Sequence, residues 1–87
     1  DKKKYKTNKA ILENSNSRLY QELKDYRYTK SLELNVPAYQ IFSNNTLQEL
    51  CSEMPASFEE LKQISGFGPF KVQRFGRDIV SIIINHS

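Results

Sequence analysis

The chain has 87 residues, 38% of them hydrophobic, 26% charged and 11% aromatic with no Trp, and a formal net charge of +3; that suffices for one small core and not for two. Its single cysteine, Cys51, excludes an internal disulfide and a multi-cysteine zinc site, and fits a reducing intracellular compartment. The longest apolar run, residues 79–84 with Ser81 inside it, is far too short to span a membrane, and Lys2, Lys3, Lys4 and Lys6 are not followed by the apolar stretch of a signal peptide. The chain opens on Asp1 with no Met, as a piece of a longer protein would, and a monomer with no membrane partner is expected.

Charge is unevenly placed. Residues 1–30 carry nine Lys/Arg against four Asp/Glu, residues 31–62 one against five, and residues 63–87 three against one. A chain basic at both ends and acidic in the middle can turn one positive face to a polyanion while another stays negative.

Residues 1–16, rich in Lys, Asn and Ser with few apolar anchors, read as a flexible basic linker, with a helical domain over 17–87. A first helix follows from Leu19, Leu23, Tyr26 and Lys30, with Leu34 closing the row and Val36-Pro37 stopping it. Pro37–Phe42 is expected to run extended. Ser43 or Asn44 then caps a second helix with Leu47, Leu50, Cys51 and Met54 on one face, ended by Pro55. Ser57-x-x-Glu60 is a capping box for a short third helix over about 58–65, with Gly66 as its left-handed end. Pro69 suits the first turn of the next helix, whose apolar stripe is Val72, Phe75, Ile79, Ile82 and Ile83. Gly76 is expected to divide or bend that stretch. No segment alternates as a strand does, so the fold class is all-α, a bundle of about five helices with a Pro-containing connection between the first two.

The residue types offer no active site. Cys51 lies on an apolar helix face, His86 has no metal-ligand partner at useful spacing, Glu59 and Glu60 point about 100° apart, and a phosphate-loop motif is missing. The chain is therefore expected to be non-catalytic and to hold no cofactor or metal of its own. The segment Gly66-Phe67-Gly68-Pro69-Phe70-Lys71 is a helical hairpin whose glycines permit positive φ and close approach, making Gly68 a position expected to resist substitution. Such a turn either binds nothing or presents the amides of the following helix to a phosphate. Lys71 in that first helical turn opposes the helix dipole, which an anion nearby would offset. Tyr39 either packs with only its hydroxyl at the surface or faces out, where beside cations it would be a stacking platform for single-stranded nucleic acid.

With these segments in place the sequence resembles the HRDC domain, the helicase and RNase D C-terminal module found at the tail of RecQ-type DNA helicases. Three ordered blocks carry the resemblance: Leu19, Leu23 and Tyr26-Arg27; Val36-Pro37-Ala38-Tyr39-Gln40-Ile41-Phe42 with Thr46-Leu47; and Ile64-Ser65-Gly66-Phe67-Gly68-Pro69-Phe70-Lys71 with Arg74-Phe75-Gly76. Tyr26 stands where the family usually has Trp, Ser31 where Ala is common, and Ala38 in place of a frequent second Pro. The resemblance implies an auxiliary domain, non-catalytic itself, whose parent helicase would use ATP and magnesium in DNA repair or recombination. Many members bind nucleic acid, so single-stranded or branched DNA is the implied partner, contacted by position at Tyr39, around Asn44 and at Lys71. Arg74, Arg77 and Lys30 are added on charge alone. A protein-docking role, toward the helicase core or another partner through Glu49, Glu53, Glu59 and Glu60, is the alternative, and an RNase D-like exonuclease is an alternative parent.

Overall fold

In the computed structural model residues 17–86 are described, and the linker expected over 1–16 lies outside them. Four α-helices are found among the described residues: α1 (Ser17–Leu34), α2 (Asn44–Glu53), α3 (Phe58–Leu61) and α4 (Pro69–Asn85), with one 3-10 turn, Ala38–Gln40, between α1 and α2. No strand occurs among them. None of the helices is long and apolar enough to cross a membrane.

The buried row of α1 is Leu19, Leu23, Arg27 and Ser31, at intervals of four. The expected Tyr26, Lys30 and Leu34 lie to the side of it, and Leu34 is 36% exposed. Strict four-residue spacing carries a charged residue inward, which is tolerated because Arg27 Nη1 donates to the Phe42 carbonyl at 3.0 Å and its guanidinium lies 5.7 Å from the Phe42 ring centroid. The helix stops before Pro37. Asn35, at φ 56°, takes the left-handed position, and Asn35 N–H and Val36 N–H bond back to the carbonyls of Leu32 and Ser31.

Residues 38–40 turn where an extended segment is expected. Ile41 and Phe42 are adjacent and both buried, at 1% and 0% exposure, whereas an extended chain would send neighbouring side chains to opposite faces. The turn resolves this, with Gln40 and Ile41 N–H bonding to the carbonyls of Pro37 and Ala38. It leaves Tyr39 outside.

Ser43 is the N-cap of α2, its hydroxyl accepting from Thr46 N–H at 3.2 Å, and Met54 at φ 46° ends the helix. Ser57 caps α3 by accepting from Glu60 N–H at 3.1 Å, while the Glu60 carboxylate accepts from Ala56 N–H at 2.8 Å. That helix is one turn long rather than reaching 65, because the chain must turn so that Leu61, Ile64 and Phe67 all reach the core. Helix α4 passes through Gly76 unbroken. A Cβ at Gly76 would lie 3.3 Å from Leu61 Cδ2 and 3.5 Å from Phe58 Cε1, so this glycine lets α3 approach α4 and does not divide it. Among the described residues the count is therefore four helices, where about five are expected for the chain.

Helices α1 and α4 run antiparallel: Glu22 Oε1 lies 2.7 Å from His86 Nε2, and one turn on along α1 Tyr26 donates its hydroxyl proton to Asp78 Oδ2 at 2.9 Å. The core between the helices gathers Leu19, Leu23, Phe42, Leu47, Leu50 and Ile79, among others.

Candidate nucleic-acid interface

Two connections, 35–43 and 62–68, meet on one side of the bundle. The Phe42 and Phe67 rings pack with centroids 6.1 Å apart at 43°. A relay of hydroxyls ties the second connection to the start of α2: Ser43 Oγ donates to Thr46 Oγ1 at 3.2 Å, and Thr46 Oγ1 donates to the Ser65 carbonyl at 2.8 Å. On the next turn the Glu49 carboxylate accepts from Ser65 N–H at 3.3 Å. Ser65 is thus held at both backbone groups, and the chain leaves it through Gly66 at φ 85°. A Cβ on Gly66 would come within 2.6 Å of Thr46 Oγ1, whereas one on Gly68 would meet nothing within 4 Å. The expected demand for glycine is therefore met at Gly66 alone, since Gly68 has ordinary extended geometry at φ −76° and ψ 178°.

This packing ties the connection that leads into α4 to the first turn of α2. Tyr39, three residues before Phe42, projects from the 3-10 turn with 67% of its surface exposed, which settles its orientation as outward. Asn44 is exposed at the first position of α2, one residue after the cap. Lys71 is partly exposed in the first turn of α4. Neither first turn carries an acid, unlike that of α3 with Glu59 and Glu60. Two helix N-termini are left without the side-chain carboxylates that complement their dipoles.

Arg74 is three residues beyond Lys71, so the two share a flank of α4. Arg77 is in turn three residues beyond Arg74, about 60° further round the helix axis, and lies two turns on from Phe70 on the same face. The structure therefore places Tyr39 and Asn44 at the entry to α2, and Lys71, Arg74 and Arg77 at successive three-residue steps along α4. The antiparallel register carries Lys30 past Tyr26 toward the N-terminal half of α4, but its ammonium is engaged by Glu33 at 3.1 Å and lies 5.8 Å from the Tyr26 ring centroid.

Two residues escape the sequence reading. Phe70 is 67% exposed beside Lys71, with the Arg74 guanidinium 5.5 Å from its ring centroid. The stripe Val72, Phe75, Ile79 would have flagged it, because position 70 falls out of phase with that stripe. Thr46 is buried and orders the junction, a role that its place in a Thr-Leu pair does not announce.

Burial pushes the Cys51 thiol up to about 11, so it is protonated at neutral pH and a poor nucleophile. Burial, and then the hydrogen bond to Asp78, push the Tyr26 phenol above the ordinary tyrosine range. Among the described residues no group of three or more His, Cys, Asp and Glu side chains could hold a metal ion.

The family model described as HRDC domain matches residues 16–83. The chain belongs to the HRDC domain family. Its similarity to known proteins agrees: the ATP-dependent DNA helicase RecQ of Haemophilus influenzae is 42% identical over 52 residues, 60% of this chain and 8% of that protein. The RecQ of Bacillus subtilis is 33% identical over 69 residues, 79% and 12%, and the ATP-dependent DNA helicase UvrD2 of Mycobacterium tuberculosis 34% over 62 residues, 71% and 9%. The HRDC chain thus spans about a tenth of the length of these curated relatives. Among solved structures, D. radiodurans RecQ HRDC domain 3 superposes with a TM-score of 0.77 at 27% identity, covering 80% of this chain and 92% of that one. The all-helical fold is therefore that of an HRDC domain, and HRDC domains form part of proteins named ATP-dependent DNA helicases.

Proposed function

We propose that this HRDC domain is a non-catalytic, auxiliary nucleic-acid-binding module of a RecQ-type DNA helicase, which binds single-stranded or branched DNA weakly and tunes the substrates its parent unwinds in repair or recombination. The observation that carries this reading is an outward aromatic ring, Tyr39, before the acid-free N-terminus of α2 with Asn44, on a connection that packs through Phe42 and Phe67 against the one leading to the acid-free N-terminus of α4 with Lys71 and Arg74. Bases stack on the ring, cations and helix amides hold the backbone phosphates, and neither contact requires a particular sequence. Lys30 and Arg77 flank this surface and add long-range charge. ATP and magnesium belong to the parent's motor core, which lies outside this chain. Titration of the chain with labelled single strand, blunt duplex and fork at low salt tests the reading: single strand and fork are expected to bind more tightly than duplex, and absence of binding at 20 mM salt overturns it.

A second reading has an observation of its own. Glu49, Glu53 and Glu60 line a cleft of about 380 Å³ with Pro55, Gln63 and Ile64. That surface, with Glu59 beside it, suits a basic segment of the helicase core or of a partner protein. Two of these acids are already occupied in holding Ser65 and Ala56 N–H. Amide shifts on DNA titration that map to Glu49, Glu53 and Glu59 and spare Tyr39 and Lys71 would favour docking. An RNase D-like exonuclease remains the alternative parent, against which the helicase names of the relatives weigh.

A further inference from the structure

Phe70 occupies the second position of α4, off the stripe that packs the core, and keeps 67% of its surface in solvent. A large ring so placed gains nothing from folding, and it lies next to Lys71 on the surface where cations collect. Nor is it left loose. The Arg74 guanidinium lies 5.5 Å from the Phe70 centroid and 5.6 Å from that of Phe75, and Phe75 is buried. Arg74 thus lies within cation–π reach of both an anchored ring and an open one. A stacked guanidinium keeps its edge N–H donors for a phosphate oxygen while its plane lies on the ring. The nearest acid along this flank, Asp78, already accepts a hydrogen bond from Tyr26.

We infer that Phe70, backed by Arg74, is a second base-stacking platform, which takes a nucleobase of single-stranded DNA on the open part of its ring while Arg74 and Lys71 hold the adjacent phosphates. This rests on the single-strand reading above and adds to it a distinct residue on a distinct element. Tyr39 rises from the 3-10 turn before α2 and Phe70 from the first turn of α4, with the Phe42–Phe67 contact joining the two connections beneath. A strand that follows the two connections would have a ring on each element to stack against. Stacking of this kind accepts any base, since every base has a π face.

The chain has no Trp, so Phe70→Trp places a single reporter at the platform. It is titrated at low salt with a thymidine oligonucleotide and with an abasic strand of equal length. The base-bearing strand is expected to quench the reporter and the abasic strand to leave it bright. Phe70→Ala, checked for an unchanged melting curve, should weaken binding of the base-bearing strand by roughly five- to 100-fold with the same salt dependence. It should barely alter binding of the abasic strand. An unquenched reporter, together with wild-type affinity in Phe70→Ala while Tyr39→Ala still weakens binding, overturns the platform and leaves the single-strand reading standing. Failure of the unaltered chain to bind either strand removes both.

Discussion

Gly66 and Gly68 stand two residues apart in one turn and answer to different constraints. Gly66 sits at φ 85° with Thr46 Oγ1 where its Cβ would go, so a side chain there is strained twice, by the backbone and by the hydroxyl relay it would push aside. Gly66→Ala should lower stability by roughly 2 kcal/mol or more in chemical denaturation, whereas Gly68→Ala, which loses only the preference of an N-cap for Gly over Ala, should cost about 1 kcal/mol or less. Equal losses at the two positions would show that the relay does not fix the turn. Sequence reading expects the sensitivity at Gly68, because a Gly-x-Gly hairpin does not reveal which of its glycines has the positive φ. The difference is set by a partner, Thr46, nineteen residues away along the chain from Ser65, which it holds. Tyr39 shows the same limit: its exposure depends on how the backbone turns at 38–40, and local composition does not decide between extended and turned.

Among the elements, what depends on neighbours in sequence is legible and what depends on neighbours in space is not. The caps Ser43 and Ser57 and the Pro69 start of α4 follow from residue type and spacing alone. The unbroken course of α4 through Gly76 does not, because it rests on the close approach of α3, and neither does the 3-10 turn, which exists to bury Ile41 and Phe42 together. The inward row of α1 was half visible: Leu19 and Leu23 set its phase, but an arginine four residues on reads as a surface residue until the Phe42 carbonyl appears beneath it. Removing that arginine is therefore a test of how α1 is fastened to the connection before α2. Arg27→Ala leaves a buried carbonyl without its donor and an unfilled space over the Phe42 ring, and should cost about 2 kcal/mol or more by thermal or urea unfolding. A loss within 0.5 kcal/mol of Lys24→Ala, at an exposed position on the same helix, would mean that water replaces the guanidinium without penalty.

At the scale of the whole molecule, protonation and salt act on separate parts of the fold. Cys51 and Tyr26 both hold their protons more tightly folded than unfolded, so above about pH 9 the unfolded chain loses protons that the native state keeps. Stability should then be level with respect to these groups below about pH 9 and fall as pH rises toward 11, and Cys51→Ala should flatten part of that fall in melts recorded across the range. A thiol readily alkylated in the native chain at pH 8 would contradict it. Salt acts instead on the junction of α2 and α4. If roughly three to five phosphates of a single strand are held there, the dissociation constant at physiological salt should lie at about 10⁻⁴ to 10⁻⁶ M, and log K should fall against log salt with a slope of about −2 to −3.5. Lys71→Ala should reduce that slope by about 0.7, the share of one phosphate. Tyr39→Ala should weaken binding by roughly 1 to 3 kcal/mol at an unchanged slope, because a stacked base releases few counterions. Lys24 gives the control, since it carries the same charge at an exposed position of α1, off the elements that hold Tyr39, Lys71 and Arg74. Lys24→Ala should change the slope by much less than Lys71→Ala, and equal changes from the two in fluorescence-anisotropy titrations would mean that the strand is held by the overall field of the domain and not by the surface around Tyr39 and Lys71.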